Sequence, residues 1–311
     1  ITSARMVSPS AKAVDMPIDG GYVGMVDRGE FDEWLRERAR ADGAVRETGD
    51  FATLTRDADG TAVVHYTPKA ADAGAGGAGQ AGAAAAARQV RARLVLGADG
   101  ARSEVARQCI AGGREMPFVY AYHEILRTPR AQPAGYDGSR CDVYYQGELS
   151  PDFYAWVFPH GDTISAGAGT AHKGFSIRHA VVDLRRTTRR RRPMPAPASG
   201  EGIYYAMACG RMAARALARC LETGDPRTLA AARREFMAQH GRVFWVLGLL
   251  QKFWYSSDAR RERFVKMCRD PDVQRLTWES YMHKRLVRRD PMAHLRVFLK
   301  DVAHLLGLAP T

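Results

Sequence analysis

The stretch that most constrains this chain is Arg93 to Ser103. There an apolar segment, Arg93-Leu-Val-Leu96, runs into Gly97-Ala-Asp-Gly-Ala-Arg-Ser103 and then into the helical pattern Ser103-Glu-Val-Ala-Arg-Gln108. A strand, a Gly-Asp-Gly turn and a helix in direct succession suit a phosphate-binding strand-turn-helix. Gly97 and Gly100 let backbone approach a ligand where a Cβ would clash. Asp99 sets a carboxylate at the strand end, and the helix start aims N–H groups at any anion placed there. Gly and Asp are equally the residues of an ordinary βα connection, so these residues by themselves leave both readings open.

The 311 residues are 46% hydrophobic and 26% charged, which is globular composition with room for two domains and excludes wholesale disorder. Lys+Arg 46 against Asp+Glu 34 gives a net charge of +12. That balance favours an anionic partner: a phosphorylated cofactor, an acidic membrane surface or nucleic acid. Cys109, Cys141, Cys209, Cys220 and Cys268 form no C-x-x-C pair, which points to a reducing compartment and away from zinc or a disulfide framework. The apolar run Val243 to Leu250 falls far short of the roughly 20 residues that span a bilayer, so the expectation is a soluble, cytoplasmic or peripheral protein. No signal-like segment opens the chain, and Ile1 in place of a start Met reads as a piece of something longer.

Ile1 to Met25 alternates in short stretches, as a connecting β segment does. In the pattern that follows, Asp27 can cap a helix whose apolar face carries Phe31, Trp34, Leu35 and Ala39. Arg28 at that helix start opposes the dipole; a nearby anion or plain solvation accounts for it. Val45 to Leu96 reads as short strands, with Phe51–Thr55 and Thr61–Thr67 forming a hairpin around Asp57-Ala-Asp-Gly60. The Ala/Gly tract 73–87 is a loop insertion without chemistry.

Val119–Ile125, Cys141–Gln146 and Phe153–Phe158 are aromatic-rich, β-prone segments that predict an antiparallel sheet distinct from the strand-helix part. The period of two puts Tyr154, Trp156 and Phe158 on one face, where they either line a long apolar pocket or pack as core.

Tyr154-x-Trp156-x-Phe158-Pro159, followed by Gly167-x-Gly169, resembles the signature of the geranylgeranyl reductase family of flavoproteins. Gly97 to Ser103 resembles the second FAD fingerprint of the wider hydroxylase-type superfamily. Asp142–Phe153, Pro197–Met207, Phe253–Asp258 and Cys268–Trp278 are similar to the branch acting on chlorophyll and bacteriochlorophyll precursors. The similarity spans nearly all the chain outside the Ala/Gly tract and a basic stretch.

The resemblance implies reduction of geranylgeranyl C=C bonds to the phytyl form, on geranylgeranyl diphosphate or geranylgeranyl (bacterio)chlorophyllide, with FAD carrying hydride and NADPH reloading it. An unactivated alkene needs a reduced flavin held against it in a dry, aromatic-lined slot and a proton for the other carbon. By carry-over, Tyr154, Trp156, Phe158 and Pro159 form slot wall, and Gly167 and Gly169 let the prenyl chain pass close to backbone. Arg28, Gly97, Asp99 and Gly100, with Ser199, Gly200 and Gly202 at the start of a helix running through Leu221, hold FAD. His123 and His160 are proton-donor candidates by neighbourhood alone. Two departures stand out: nothing near Ile1 supplies the superfamily's first glycine motif, and Asp183 to Pro195, rich in arginine, stands where family members carry a Gly-Asp motif. A solvated loop, a nucleic-acid patch or a deletion junction would each explain the arginines, with the junction preferred and nucleic acid not expected as a partner. The departures predict weak FAD binding.

The expected fold is α+β. Residues 1–110 form a partial FAD domain, 111–182 the substrate sheet, 183–196 an aberrant basic junction, 197–225 an FAD-domain helix and 226–311 a helical region. Helices are expected over 226–250, 259–269 and 291–306. Phe244, Trp245, Leu249, Phe253 and Trp254, beside Arg242, Lys252, Arg260 and Arg261, could lie on a photosynthetic membrane or pack onto the domains. The alternatives in function are an FAD monooxygenase, which would share Asp99, and a flavin-free remnant.

Overall fold

A computed structural model describes residues 1–69, 86–115, 119–128, 136–187, 193–194 and 202–284. They form two compact units. One comprises Ile1–Arg28, Val119–Arg215 and Ala230–Thr311, the other Gly29–Phe118 and Ala216–Leu229.

The first unit is built on strands β1 (Ser3–Val7), β2 (Ala13–Pro17), β6 (Tyr120–Arg127), β7 (Arg140–Tyr144), β8 (Ala155–His160), β9 (Thr163–Thr170) and β10 (Pro193–Met194). Their order across the sheet is β10-β6-β9-β8-β7-β1-β2. All neighbours are antiparallel except β1 and β7, which run parallel from Ser3 opposite Arg140 to Val7 opposite Tyr144. The antiparallel sheet expected from the aromatic segments is there. Ile1–Arg28, expected with the FAD domain as a connector, instead folds with this sheet, because β1 finds its ladder partner in β7.

On one face of the sheet lies α3 (Ile177–Thr187), whose Ala180, Val181 and Leu184 pack on Leu126, Val157, Ile164, Ala166 and Ala168. Leu184, Val181 and Ile164 are completely buried, each worth about 1.5–3 kcal/mol relative to exposure. The expected basic junction from residue 183 is corrected here: Asp183 to Thr187 finish α3, since Leu184 completes its apolar stripe. Arg185 is no solvated cation, for Nη1 donates to Glu124 Oε2 at 2.5 Å, and the Tyr122 hydroxyl donates to the other carboxylate oxygen at 3.2 Å.

The opposite face is covered at its β1-β2-β7 side by α6 (Asp258–Met267) and α7 (Pro271–His283). Val14, Met16, Val143 and Tyr145 meet Phe264, Val265, Cys268 and Trp278 there. Ser257 caps α6, and Asp270 followed by Pro271 starts α7, a standard helix-start pair that apolar periodicity alone did not predict. Glu262 ties α6 to the β1–β2 turn by accepting from Ser10 N and Oγ at 3.1 and 2.7 Å. Before them come α4 (Ile203–Thr223), a short 3-10 turn (Pro226–Leu229) and α5 (Ala230–Trp254). Gly224, with φ +70°, ends α4 by donating its N–H to Cys220 O at 2.9 Å.

The second unit holds the sheet β3-β4-β5 (Gly49–Arg56, Ala62–Pro68, Arg88–Ala92) with α1 (Arg28–Ala41) and α2 (Glu104–Cys109). The predicted hairpin is β3–β4, antiparallel. The strand predicted over Arg93–Leu96 does not form: β5 ends at Ala92, opposite Ala62, where β4 begins, so no ladder partner is left for residues 93–96. At the bulge between Phe51 and Thr53 the Gln108 side chain of α2 takes over the ladder. It accepts from Leu54 N at 3.0 Å and donates to Ala52 O at 3.1 Å. Helix α1 has no buried residue, and Trp34 of its predicted apolar face is 51% exposed under the Arg38 guanidinium. The Ala/Gly tract at 70–85, the segment 195–201 and the helix expected at 291–306 lie outside the described residues.

Candidate functional site

The register of β6, β9 and β8 decides which side chains share a face. Trp156 and His123 both lie opposite Gly167, and Phe158 opposite Ser165. Tyr154, Trp156 and Phe158 line up along this face with ring centroids 6.0 Å apart at each step, the first pair edge-to-face and the second stacked, as the period of two predicts. Ser165 is 2% exposed and binds both neighbours: Trp156 Nε1 donates to its Oγ at 3.0 Å, and His123 Nδ1 lies 3.0 Å from the same oxygen. An indole nitrogen only donates. The Ser165 hydroxyl, with one donor and two acceptor lone pairs, joins the indole to the His123 imidazole.

Phe158 and Tyr154 are half-buried and pack beside the α6–α7 cluster, whereas Trp156 is 5% exposed. Burial raises the Tyr154 hydroxyl above its ordinary range and pushes the Cys141 thiol up to about 12. His160, at the end of β8, is lowered by burial, with the Asp27 carboxylate opposing. Pro159 is buried at the same end.

The glycines are explained by their neighbours. A Cβ on Gly167 would lie 2.5 Å from both His123 Cβ and Trp156 Cζ2, and one on Gly169 would lie 2.6 Å from Phe153 Cδ1. The clearance expected for a passing prenyl chain is filled by Trp156, His123 and Phe153. These glycines admit aromatic rings laid across β9.

In the second unit, the Gly97–Ser103 turn meets the helix differently from the expectation. Asp99 Oδ2 accepts from Glu104 N at 2.7 Å and Val105 N at 3.3 Å, Ser103 Oγ donates to Asp99 Oδ1 at 2.5 Å, and Ala106 N donates to Ser103 Oγ at 2.9 Å. The first N–H groups of α2 are thus taken by the turn's own side chains, not left for an anion. The Ser103 hydroxyl, then the backbone donors, hold Asp99 below the usual carboxylate range. Gly97 is required because a Cβ would sit 2.9 Å from Val105 Cβ. Gly100 is different: with φ +84° and nothing within 4 Å of a built Cβ, it leaves backbone open to a group laid against it. The α2 N-terminus, its first N–H groups already taken, offers no such opening.

Arg28 is the first residue of α1, and Gly202 forms the turn before α4, its carbonyl accepting from Ala206 N at 2.8 Å. Ser199 and Gly200 lie outside the described residues. Among the described residues no cluster of His, Cys, Asp and Glu could hold a metal ion, and no helix is long and apolar enough to cross a membrane. Sequence reasoning missed Ser165 and Gln108. Their roles depend on strand pairing, for which neither residue carries a local signal.

Solved structures share this architecture. A geranylgeranyl bacteriochlorophyll reductase-like protein from Thermoplasma acidophilum superposes with a TM-score of 0.71 at 17% identity, covering 99% of this chain and 83% of that one. A p-nitrophenol 4-monooxygenase from Pseudomonas putida follows at TM-score 0.56 and 13% identity, over 93% and 82%. The chain shares its α+β fold with these two proteins. In sequence, a geranylgeranyl diphosphate reductase of Rhodobacter capsulatus is 44% identical over an alignment of 342 residues that covers 100% of this chain and 83% of that protein. The chain belongs to the geranylgeranyl reductase family. No protein-family model matches it.

Proposed function

We propose that this chain reduces the C=C bonds of a geranylgeranyl group to the phytyl form, on geranylgeranyl diphosphate or a geranylgeranyl (bacterio)chlorophyllide, in pigment synthesis. The observation that carries the reading is the 44% identity to a geranylgeranyl diphosphate reductase across the whole chain. FAD, when bound, supplies hydride, and NADPH restores the reduced form. Gly100 and Asp99, in the second unit, are the residues we assign to the FAD nucleotide.

The chain's own contribution is a dry wall. The half-buried Tyr154 and Phe158 offer aromatic surface to an isoprenoid, backed by the buried Trp156 and Pro159, and the Ser165 hydrogen bonds keep the Trp156 ring from turning. Gly167 and Gly169 act through those rings by letting them lie flat. His123, bonded to the same serine, is our candidate for delivering the alkene proton. The test is incubation of the FAD-supplemented chain with NADPH and geranylgeranyl diphosphate under anaerobic conditions. Flavin bleaching by NADPH and a product heavier by two hydrogens per double bond are expected. A flavin that bleaches while the prenyl chain stays unreduced would overturn the assignment.

A further inference from the structure

The outward stripe of α5 departs from what a helix of a soluble protein carries. Between Glu235 and Asp258 there is no acidic residue, and Met237 (50% exposed), Phe244 (48%), Trp245 (69%) and Leu249 (54%) lie along one side of the helix, whereas Leu247 projects off it beyond the buried His240. A solvent stripe is ordinarily polar, and contiguous apolar exposure marks an interaction surface. Cations bracket the stripe: Arg233 and Arg234 one turn before it, Arg242 within it and Lys252 after it, all exposed. Trp254 and Arg261, expected on this face, are not part of it. Trp254 is 3% exposed, and the Arg261 guanidinium is 2% exposed, bound to Asp258 and to the Pro151 and Tyr255 carbonyls.

We propose that this stripe docks the protein in the plane of an anionic lipid bilayer. Met237 to Leu249 covers roughly 18 Å of helix axis, against about 30 Å of hydrocarbon to be crossed, so the helix lies on the surface. Apolar side chains in the middle with Arg and Lys at both ends match an acyl region bordered by anionic headgroups, and an indole such as that of Trp245 favours that boundary. A second copy of the same chain would also cover apolar area, but it would bring like charges together in a chain of net charge +12.

The surface is independent of the reductase reading, and neither flavin nor substrate enters its test. The full chain is floated with vesicles of phosphatidylcholine containing a third phosphatidylglycerol, with phosphatidylcholine alone, and with the anionic vesicles at raised salt. Co-flotation with the anionic vesicles is expected, weakened by salt, and at least tenfold weaker in Trp245→Glu and Leu249→Glu, because one lost apolar anchor already costs about that factor. Both variants replace solvent-facing side chains and should melt with the parent. The proposal is overturned if the parent stays in the dense fraction with anionic vesicles, if the variants float as well as the parent, or if sedimentation without vesicles shows self-association that both variants abolish.

Discussion

Replacing Gly167 by Ala tests whether the glycine serves the rings or a ligand. The new methyl carbon would lie 2.5 Å from Trp156 Cζ2 and 2.5 Å from His123 Cβ, whereas carbon atoms rest at about 3.5–4.0 Å. The neighbours must yield by about 1 Å. His123 Cβ is fixed to β6 directly opposite, so the indole must move, and its N–H is tied to a buried serine. Overpacking of this kind costs about 1–3 kcal/mol, and losing the Trp156–Ser165 bond adds about 1 kcal/mol, giving roughly 2–4 kcal/mol in all. Urea unfolding followed by tryptophan fluorescence should show the unfolding free energy falling by that amount, as a lower midpoint at unchanged slope. Gly174→Ala, where a Cβ meets nothing within 4 Å and φ is ordinary, should leave it unchanged. If Gly167→Ala unfolds with the parent and only weakens prenyl binding, the space above the glycine belongs to a ligand and the reasoning fails.

Ser165→Ala strands the buried Trp156 N–H, at a cost of about 1–3 kcal/mol in unfolding free energy, read by urea titration. Glu124→Ala removes the buried carboxylate to which Arg185 and the Tyr122 hydroxyl donate and should cost about 1–3 kcal/mol, whereas Glu37→Ala on exposed α1 should be nearly silent in the same assay. Asp99 is held below its ordinary 3.8 in the folded chain, so its contribution is complete above that value and is lost as pH falls through the lower folded value; in Asp99→Ala the acid-side loss of α2 protection in hydrogen exchange should disappear. Native alkylation at pH 8 should modify the exposed Cys109 and Cys209 and spare Cys141 and Cys268, whose thiols burial pushes up to about 12.

What was legible in the sequence is what local periodicity encodes. The hairpin β3–β4, the Ser103 cap of α2, the glycine end of α4 and the common face of Tyr154, Trp156 and Phe158 all follow from spacing within a few residues. Pairing between distant segments was not legible. Nothing in Ser3–Val7 shows that it adds to β7, and so residues 1–28 read as a connector. The apolar run Leu94-Val-Leu96 looks like a strand until the partner strand is known to begin only at Ala62, opposite Ala92. The same limit explains the glycines, because Gly167 reads as clearance for a ligand until the register places Trp156 across it.

The central claim is that this chain acts on a geranylgeranyl group. The most direct test is mass spectrometry of the prenyl product after single-turnover mixing of the chemically reduced, FAD-loaded chain with geranylgeranyl diphosphate and, separately, with geranylgeranyl bacteriochlorophyllide. The account predicts a product carrying two added hydrogens for each equivalent of reduced flavin, on one substrate or both. Stoichiometric flavin loading with both prenyl chains recovered unreduced would contradict it.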